Sequence, residues 1–367
     1  MTLAYILSVG KSVPRYETKQ ESTIEFAREI FEESFKDFDR LLPVFKNGEI
    51  EKRQFSQPIE WYKKQRTFEE KNDLYIKTAV KHGIEAVNNC LTNQTLLRKQ
   101  IAYDDVDALF FVSTTGLSTP SIDAKLMNAL PFKETTKRIP IWGLGCAGGA
   151  SGLSRAYEYC KAYPDATVLV ISVELCSLTF QRDDRSKSNL IGTSLFADGV
   201  ACTCVVGSKV DWKIRSNIKA IPKILDSRST FMRDSEDVMG WDIKNNGLYV
   251  IFSRDIPSII KKWLRPQVID FLQENEMDID EINHFMAHPG GKKVLEAYKE
   301  GLGFTNKHLH ISKEVLINHG NMSSVTVMYV LELYLERELG KAKEYGLIGA
   351  LGPGFSSEML LVQWEES

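Results

Sequence analysis

The sequence predicts an α/β protein in which strands alternate with helices and the sheets are covered on their faces. Three observations carry that reading. Residues 138–154, RIPIWGLGCAGGASGLS, run from a short apolar segment through a glycine-rich turn into an amphipathic pattern: a strand delivering a turn that opens a helix. Short apolar runs at 108–113, 167–173 and 198–206 alternate with helical periodicity around it. A composition break near 207–211 is followed by the same rhythm again. Residues 1–207 and 208–367 therefore read as two halves of an old duplication, although no letter-for-letter repeat is visible.

At 367 residues the chain is too long for one ordinary core. A hydrophobic content of 43% with 26% charged residues is that of a globular protein, and a net charge of −3 argues against a nucleic-acid surface. Six cysteines lack any framework spacing, which predicts reduced thiols and a cytoplasmic setting. The longest apolar run, 166–173, is too short to span a membrane. The N-terminal MTLAYILSVGK has no basic region and no cleavage site, and reads as a first strand.

In chain order, that strand leads to an amphipathic helix over 20–35 and then to a basic, aromatic segment, 38–62, without a long period. Lys46, Lys52 and Arg53 in that segment could meet a phosphorylated ligand, or form a solvated charge run. A long helix is expected over 68–91, a buried strand over 108–113, and a helix starting near Pro120. The 138–163 unit and two further strands complete the first half. The second half reads as strands at 212–225 and 248–252, a helix from Asp255 to 274 and a strand at 282–287. Helices near 291–301 and 324–339 and strands at 347–351 and 359–364 close the chain.

Three polar residues punctuate the ends of apolar elements. Cys146 opens a helix, where unpaired N–H groups and the helix dipole favour a thiolate, and its flanking glycines leave room for close approach. Two other readings stay open for it: a small buried cysteine, and a dinucleotide-binding turn formed by Gly143, Gly145 and Gly148. No acidic residue stands at the distance that the second reading requires, since Glu174 lies too far on. His288 ends a strand before Pro-Gly-Gly; it pairs with His284 at a spacing of four, but no H-E-x-x-H glutamate accompanies them, so zinc is not expected. Asn321 follows Gly320 and precedes an apolar helix, as a turn or capping residue also would.

Together, Cys146 in GCAGG, His288 in AHPGG and Asn321 in GNMSS resemble the condensing enzymes of the thiolase fold. The closest resemblance is to the chalcone and stilbene synthase family of type III polyketide synthases. SVELCSLTF, GTSLFADG, AHPGGKKVLE, GNMSS and GALGPG fall in family order through nearly the whole chain. KNGEIEKRQFSQPIEWY, STTGLSTPS and IWGLGCAGGASGLSRA are most similar to the alkylpyrone synthases of bacilli.

The resemblance implies a thiolase-like fold, a five-layer αβαβα arrangement of two duplicated halves, working as a homodimer. It implies acyl-CoA and malonyl-CoA as substrates, with no further cofactor and no metal. Cys146 would take the acyl group as a thiolate kept by an imidazolium at His288. His288 and Asn321 would hold the malonyl thioester oxygen while carbon dioxide leaves, so no strong base is needed. The loop 349–354 lacks the second cysteine of a biosynthetic thiolase.

Further positions carry over from the family as substrate contacts. Phe196 matches a gate phenylalanine, and Val250 stands for the second one of plant enzymes. Thr119 takes the place of a methionine that reaches into the partner's cavity. Leu351 replaces the phenylalanine of the G-F-G-P-G loop beside Gly352, and Ala197 replaces a glycine. Cys176, Thr179 and Ser323 complete the set, and Arg40, Lys46 and Lys52 are CoA-binding candidates. The smaller side chains predict an open apolar pocket for long fatty acyl starters, with alkylpyrone products. The rival readings are a single-round ketoacyl-carrier-protein synthase III and, from the glycine turn, a nicotinamide-dependent oxidoreductase.

Overall fold

The computed structural model describes residues 3–35, 37–253 and 256–367. The strands are β1 (Ala4–Ser12), β2 (Tyr16–Lys19), β3 (Lys52–Phe55), β4 (Ala108–Val112), β5 (Lys137–Ile141), β6 (Thr167–Leu175), β7 (Asp198–Gly207), β8 (Ala220–Phe231), β9 (Met239–Lys244), β10 (Gly247–Phe252), β11 (Ile282–Ala287), β12 (Tyr345–Gly352) and β13 (Ser356–Glu366). The longer helices are α1 (Gln20–Phe31), α2 (Phe68–Leu91), α3 (Ile122–Ala129), α4 (Gly148–Ala162), α5 (Lys187–Leu195), α6 (Arg265–Glu274), α7 (Lys292–Leu302), α8 (Asn306–His319) and α9 (Thr326–Glu336).

Nine strands form one sheet in the order β11-β12-β13-β8-β1-β7-β6-β4-β5. Its two parts repeat one plan. β4 runs parallel to β6, which is antiparallel to β7, which is antiparallel to β1. β11 likewise runs parallel to β12, then antiparallel β13, then antiparallel β8. The parts join where Ala4 and Tyr5 pair with Ile224 and Lys223. Helices α4 and α9 fill the middle and contact strands of both parts. Their composition explains why: α9, TVMYVLELYLE, is buried on nearly every face, and α4 is buried from Gly148 to Ser154. Helix α2 covers one outer face, over β1, β6 and β7, and α8 with α7 covers the other, over β11. The result is the five-layer α/β arrangement expected, with a core drawn from both parts.

Six segments differ from expectation. Residues 38–62 are not irregular throughout, because β3 within them pairs antiparallel with β2. Residues 212–225 divide into a one-turn helix, Trp212–Arg215, and the start of β8, since Trp212 turns inward to stack on Tyr5 at 4.5 Å. Strands β2 and β9 and helices α5 and α8 were not expected. The start of the helix expected from Asp255 and residues 1–2 of the first strand lie outside the described residues.

Candidate active site

Cys146 lies in a single 3-10 turn, Gly145–Ala147, that leads directly into α4. Asn321 and Ser323 lie where the turn Ser323–Val325 leads into α9. The two central helices therefore bring their N-termini together. The glycines make that approach possible: a Cβ at Gly149 would stand 2.1 Å from the Ser324 carbonyl oxygen, and one at Gly148 would be 2.7 Å from Val112 Cγ1. Gly145 has φ 48°, and a Cβ there would meet Pro353 Cδ at 2.7 Å. These three glycines let protein pack closely on protein, whereas Gly143, at φ 94°, has nothing within 4 Å of the place a Cβ would take.

The Cys146 Sγ lies 3.9 Å from Asn321 Oδ1, which also accepts the Ser323 N–H at 2.8 Å. Asn321 Nδ2 donates one hydrogen to the Gly290 carbonyl at 3.0 Å and keeps a second. His288 extends the end of β11, its N–H donating to the Gly349 carbonyl at 2.8 Å. A Cβ on Gly290 would lie 3.5 Å from His288 Nε2, so Asn321, Gly290 and the imidazole are neighbours. Residues far apart in the chain thus converge where the two central helices meet β11.

The imidazole is 2% exposed, and neither ring nitrogen has a hydrogen-bond partner. Leaving a buried donor unpaired costs about 1–3 kcal/mol, which marks a place where a ligand oxygen can bind. Burial pushes the Cys146 thiol up to about 12, with hydrogen bonds from Ser323 and Asn321 opposing it. Burial also holds His288 down to about 3. Desolvation thus favours the neutral form of each group and opposes the dipole effect at the turn.

Two charged residues that the sequence reading left outside the site support it. Glu174 on β6 is fully buried and accepts the Ser324 hydroxyl at 2.6 Å and the Thr114 N–H at 3.0 Å. The Thr114 hydroxyl in turn accepts the Gly145 N–H at 3.1 Å, so this carboxyl ties both helix-opening turns to the sheet. Burial raises it to about 7. Arg53, read as a possible phosphate contact, is instead buried and brought down to about 9 by desolvation. It donates to the carbonyls of Thr193 at 2.9 Å and Phe196 at 2.7 Å, and to Gln20 Oε1 at 2.9 Å, closing the C-terminal end of α5.

Phe196, directly after α5, is bridged to Asn321 through the backbone: the Ala197 N–H donates to the Asn321 carbonyl, and the Asn321 N–H to the Leu195 carbonyl, each at 2.9 Å. Beyond Phe196 lies a narrow cavity of about 50 Å³ whose lining includes Phe26, Phe55, Ile59, Tyr62, Phe180 and Val250. Cys176 and Thr179 also line it. Val250 lines it, and Trp241 and Phe252 of the β9–β10 hairpin pack on the Phe196 ring at 5.8 and 5.5 Å between ring centres.

The other expected contacts are spread more widely. Ser323 is at the turn described above. Leu351 is buried in the core of the second half, and Gly352 packs under the Cys146 turn, where a Cβ would be 2.4 Å from the Leu144 carbonyl oxygen. Thr119 is exposed beside Leu117, which is also exposed. Lys46 and Lys52 line an open groove, whereas Arg40 stands apart from it, exposed and paired with Asp37 at 2.7 Å. No helix among the described residues is long and apolar enough to cross a membrane.

Two family models match the chain: the chalcone and stilbene synthase N-terminal domain over residues 2–210 and the C-terminal domain over 223–364. The chain is 57% identical to a Bacillus subtilis (strain 168) protein named "Putative chalcone synthase", across 99% of this chain and all of that one. It is 26% identical to an alpha-pyrone synthesis polyketide synthase-like protein of Mycobacterium tuberculosis (strain CDC 1551 / Oshkosh), covering 98% of this chain and 91% of that one. Among solved structures, 1,3,6,8-tetrahydroxynaphthalene synthase of Streptomyces coelicolor A3(2), a bacterial type III polyketide synthase, superposes with a TM-score of 0.90 at 27% identity, over 99% of this chain and 100% of that one. With a thiolase-like fold and these relatives along its whole length, the chain belongs to the chalcone and stilbene synthase family and is an acyl-transferring type III polyketide synthase.

Proposed function

We propose that the enzyme loads a long-chain fatty acyl group from its CoA thioester onto Cys146, extends it with malonyl-CoA over more than one round, and releases alkylpyrones by lactonisation. The observation that carries the proposal is the apolar cavity behind Phe196, whose aromatic and aliphatic walls offer burial to an alkyl chain and almost no charge. The Mycobacterium relative, named as alpha-pyrone synthesis polyketide synthase-like, supports the same product class.

In this reading the Cys146 proton passes to the neutral imidazole of His288 as the acyl-CoA arrives. Both charges form together in a site shielded from water. The sulfur attacks the thioester carbonyl, and the CoA thiolate leaves. The His288 N–H and the free Asn321 N–H then hold the thioester oxygen of malonyl-CoA; its carboxylate departs as carbon dioxide, and the electron pair left behind forms an enolate. The enolate carbon bonds to the acyl carbonyl and the Cys146 sulfur leaves, giving a chain two carbons longer. The enzyme is proposed to act in the cytoplasm as a homodimer, with exposed Leu117, Thr119 and Trp142 on the face that meets the partner.

The test is incubation of the purified protein with labelled malonyl-CoA and acyl-CoA starters from acetyl to stearoyl, with products resolved by mass spectrometry. Tri- and tetraketide pyrones from the long starters, lost in Cys146→Ala, are expected. Single-extension products made only on a carrier protein would move the protein to the ketoacyl synthase III class, and preference for short starters would overturn the long-chain assignment.

A further inference from the structure

The cation of Arg53 is buried on β3 and is held by neutral oxygens. Nη1 donates to the Thr193 and Phe196 carbonyls and Nη2 to Gln20 Oε1, while Nε has no partner among the described residues. Asp198, the acid whose charge reaches it, has its oxygens bonded to Ser56 and Ser177. A buried charge without a bonded counter-ion is costly to stability, and an apolar side chain of similar volume would avoid that cost. The planar fork of the guanidinium does what no apolar side chain can: it binds α1, the end of α5 and the residue after α5 to one another.

The chain that it binds is the one that carries Asn321. Gln20, whose Oε1 Arg53 holds, donates in turn to the Ser194 carbonyl at 3.2 Å and the Phe45 carbonyl at 3.1 Å. The Leu195 carbonyl accepts the Asn321 N–H. Each carbonyl from Thr193 to Phe196 is therefore engaged, by Arg53, by Gln20 or by Asn321 itself. The Arg53 methylenes also lie against Gly320, the residue before Asn321: a Cβ there would meet Arg53 Cδ at 2.7 Å and the Leu195 carbonyl oxygen at 2.9 Å. Arg53 thus touches both sides of the backbone bridge between Phe196 and Asn321.

We propose that Arg53 is a positioning residue that fixes this bridge, so that the free N–H of the Asn321 amide stays aimed at the thioester oxygen of malonyl-CoA during decarboxylation. The proposal rests on the reading of Asn321 as a donor to that oxygen. A donor stabilises developing charge best when its place is set before the charge forms, and a displacement of about 1 Å is enough to cost about a hundredfold in rate. In the proposed mechanism, loading of Cys146 uses His288 and no hydrogen bond from Asn321. The two partial reactions therefore depend on Arg53 to different degrees.

The test compares those two reactions in one preparation. The first is acyl transfer from acyl-CoA to Cys146, read by intact mass. The second is decarboxylation of malonyl-CoA: the bond to the carboxylate breaks, carbon dioxide leaves, and the enolate takes a proton from water to give acetyl-CoA. Arg53→Met is expected to lower the ratio of decarboxylation to loading by about tenfold or more. Arg53→Lys, which keeps the charge but lacks the fork, should lower it less. A protein that is merely less folded loses both reactions in proportion, so an unchanged ratio overturns the proposal. Should Arg53→Met not fold, Gln20→Leu, which removes the acceptor that orients the guanidinium, is expected to lower the same ratio, and an unchanged ratio there overturns the proposal. Asn321→Ala separates this proposal from the reading beneath it. If that variant still decarboxylates, Asn321 is not the donor and the proposal falls with the reading. If it does not, while Arg53→Met decarboxylates as the parent does, Asn321 is the donor and Arg53 does not position it.

Discussion

Burial disfavours charge on both Cys146 and His288, and the same burial strengthens the attraction between them once the proton has passed from one to the other. Glu174 gives the clearest pH signature of this neighbourhood. It keeps its proton up to about pH 7 when folded, against an ordinary value of 4.5. Its contribution to stability is thus fully present below 4.5 and lost as pH rises through 7. In Glu174→Gln the amide oxygen can accept the Thr114 N–H while the amide nitrogen donates to Ser324. The variant should therefore gain stability relative to the parent between about pH 5 and about pH 8, as read by urea denaturation; a constant difference would contradict the assignment. Cys146, His288 and Asn321 were legible because each stands within two residues of a glycine at the edge of an apolar element. Glu174 and Arg53 were not, since their burial depends on Thr114, Ser324, Thr193 and Phe196, whose proximity no local pattern reports.

At the scale of elements, the strands of the central sheet and helix α2 were readable because burial and periodicity agree along them. Helix α8 escaped because its inward face carries Ser312 between Leu309 and Val315, and its capping partner for Thr305 is His308 rather than Glu or Gln. The β9–β10 hairpin escaped because β9 is half-buried or exposed throughout and shows no alternation. That omission matters, as Trp241 and Phe252 pack on the Phe196 ring that lines the cavity. Val250→Phe places a ring in the cavity beside Gly192 and Phe196. Displacing two methylenes of an alkyl chain would cost about 1.6 kcal/mol, so preference for long over short starters should fall about tenfold. Competition between two acyl-CoA starters measures it, and an unchanged ratio would place the alkyl chain elsewhere.

For the whole molecule, the duplication is visible in strand order and direction although the letters do not repeat, because a fold constrains burial and connectivity more tightly than residue identity. The division near Gly207 marks a repeat of plan but not a clean partition of the core: beside a smaller cluster within the second half, the larger one spans both. Ile6 and Leu7 of the first half share one cluster with Val327, Met328 and Val330 of α9 and with Trp364 at the end of β13. Thermal unfolding should accordingly be a single transition, coincident by circular dichroism and tryptophan fluorescence, and residues 1–207 alone should not fold. Two separated transitions would contradict a shared core.

The site exists only because both halves deliver their central helices to one point, and its chemistry begins with an acyl group on one sulfur. The most direct measurement is the intact mass of the protein after exposure to a long-chain acyl-CoA without malonyl-CoA, followed by peptide mapping. One acyl adduct per chain, located on Cys146 and absent from Cys146→Ala, is the predicted result. An adduct on another residue, or none while starter-dependent product still forms, would contradict Cys146 as the nucleophile.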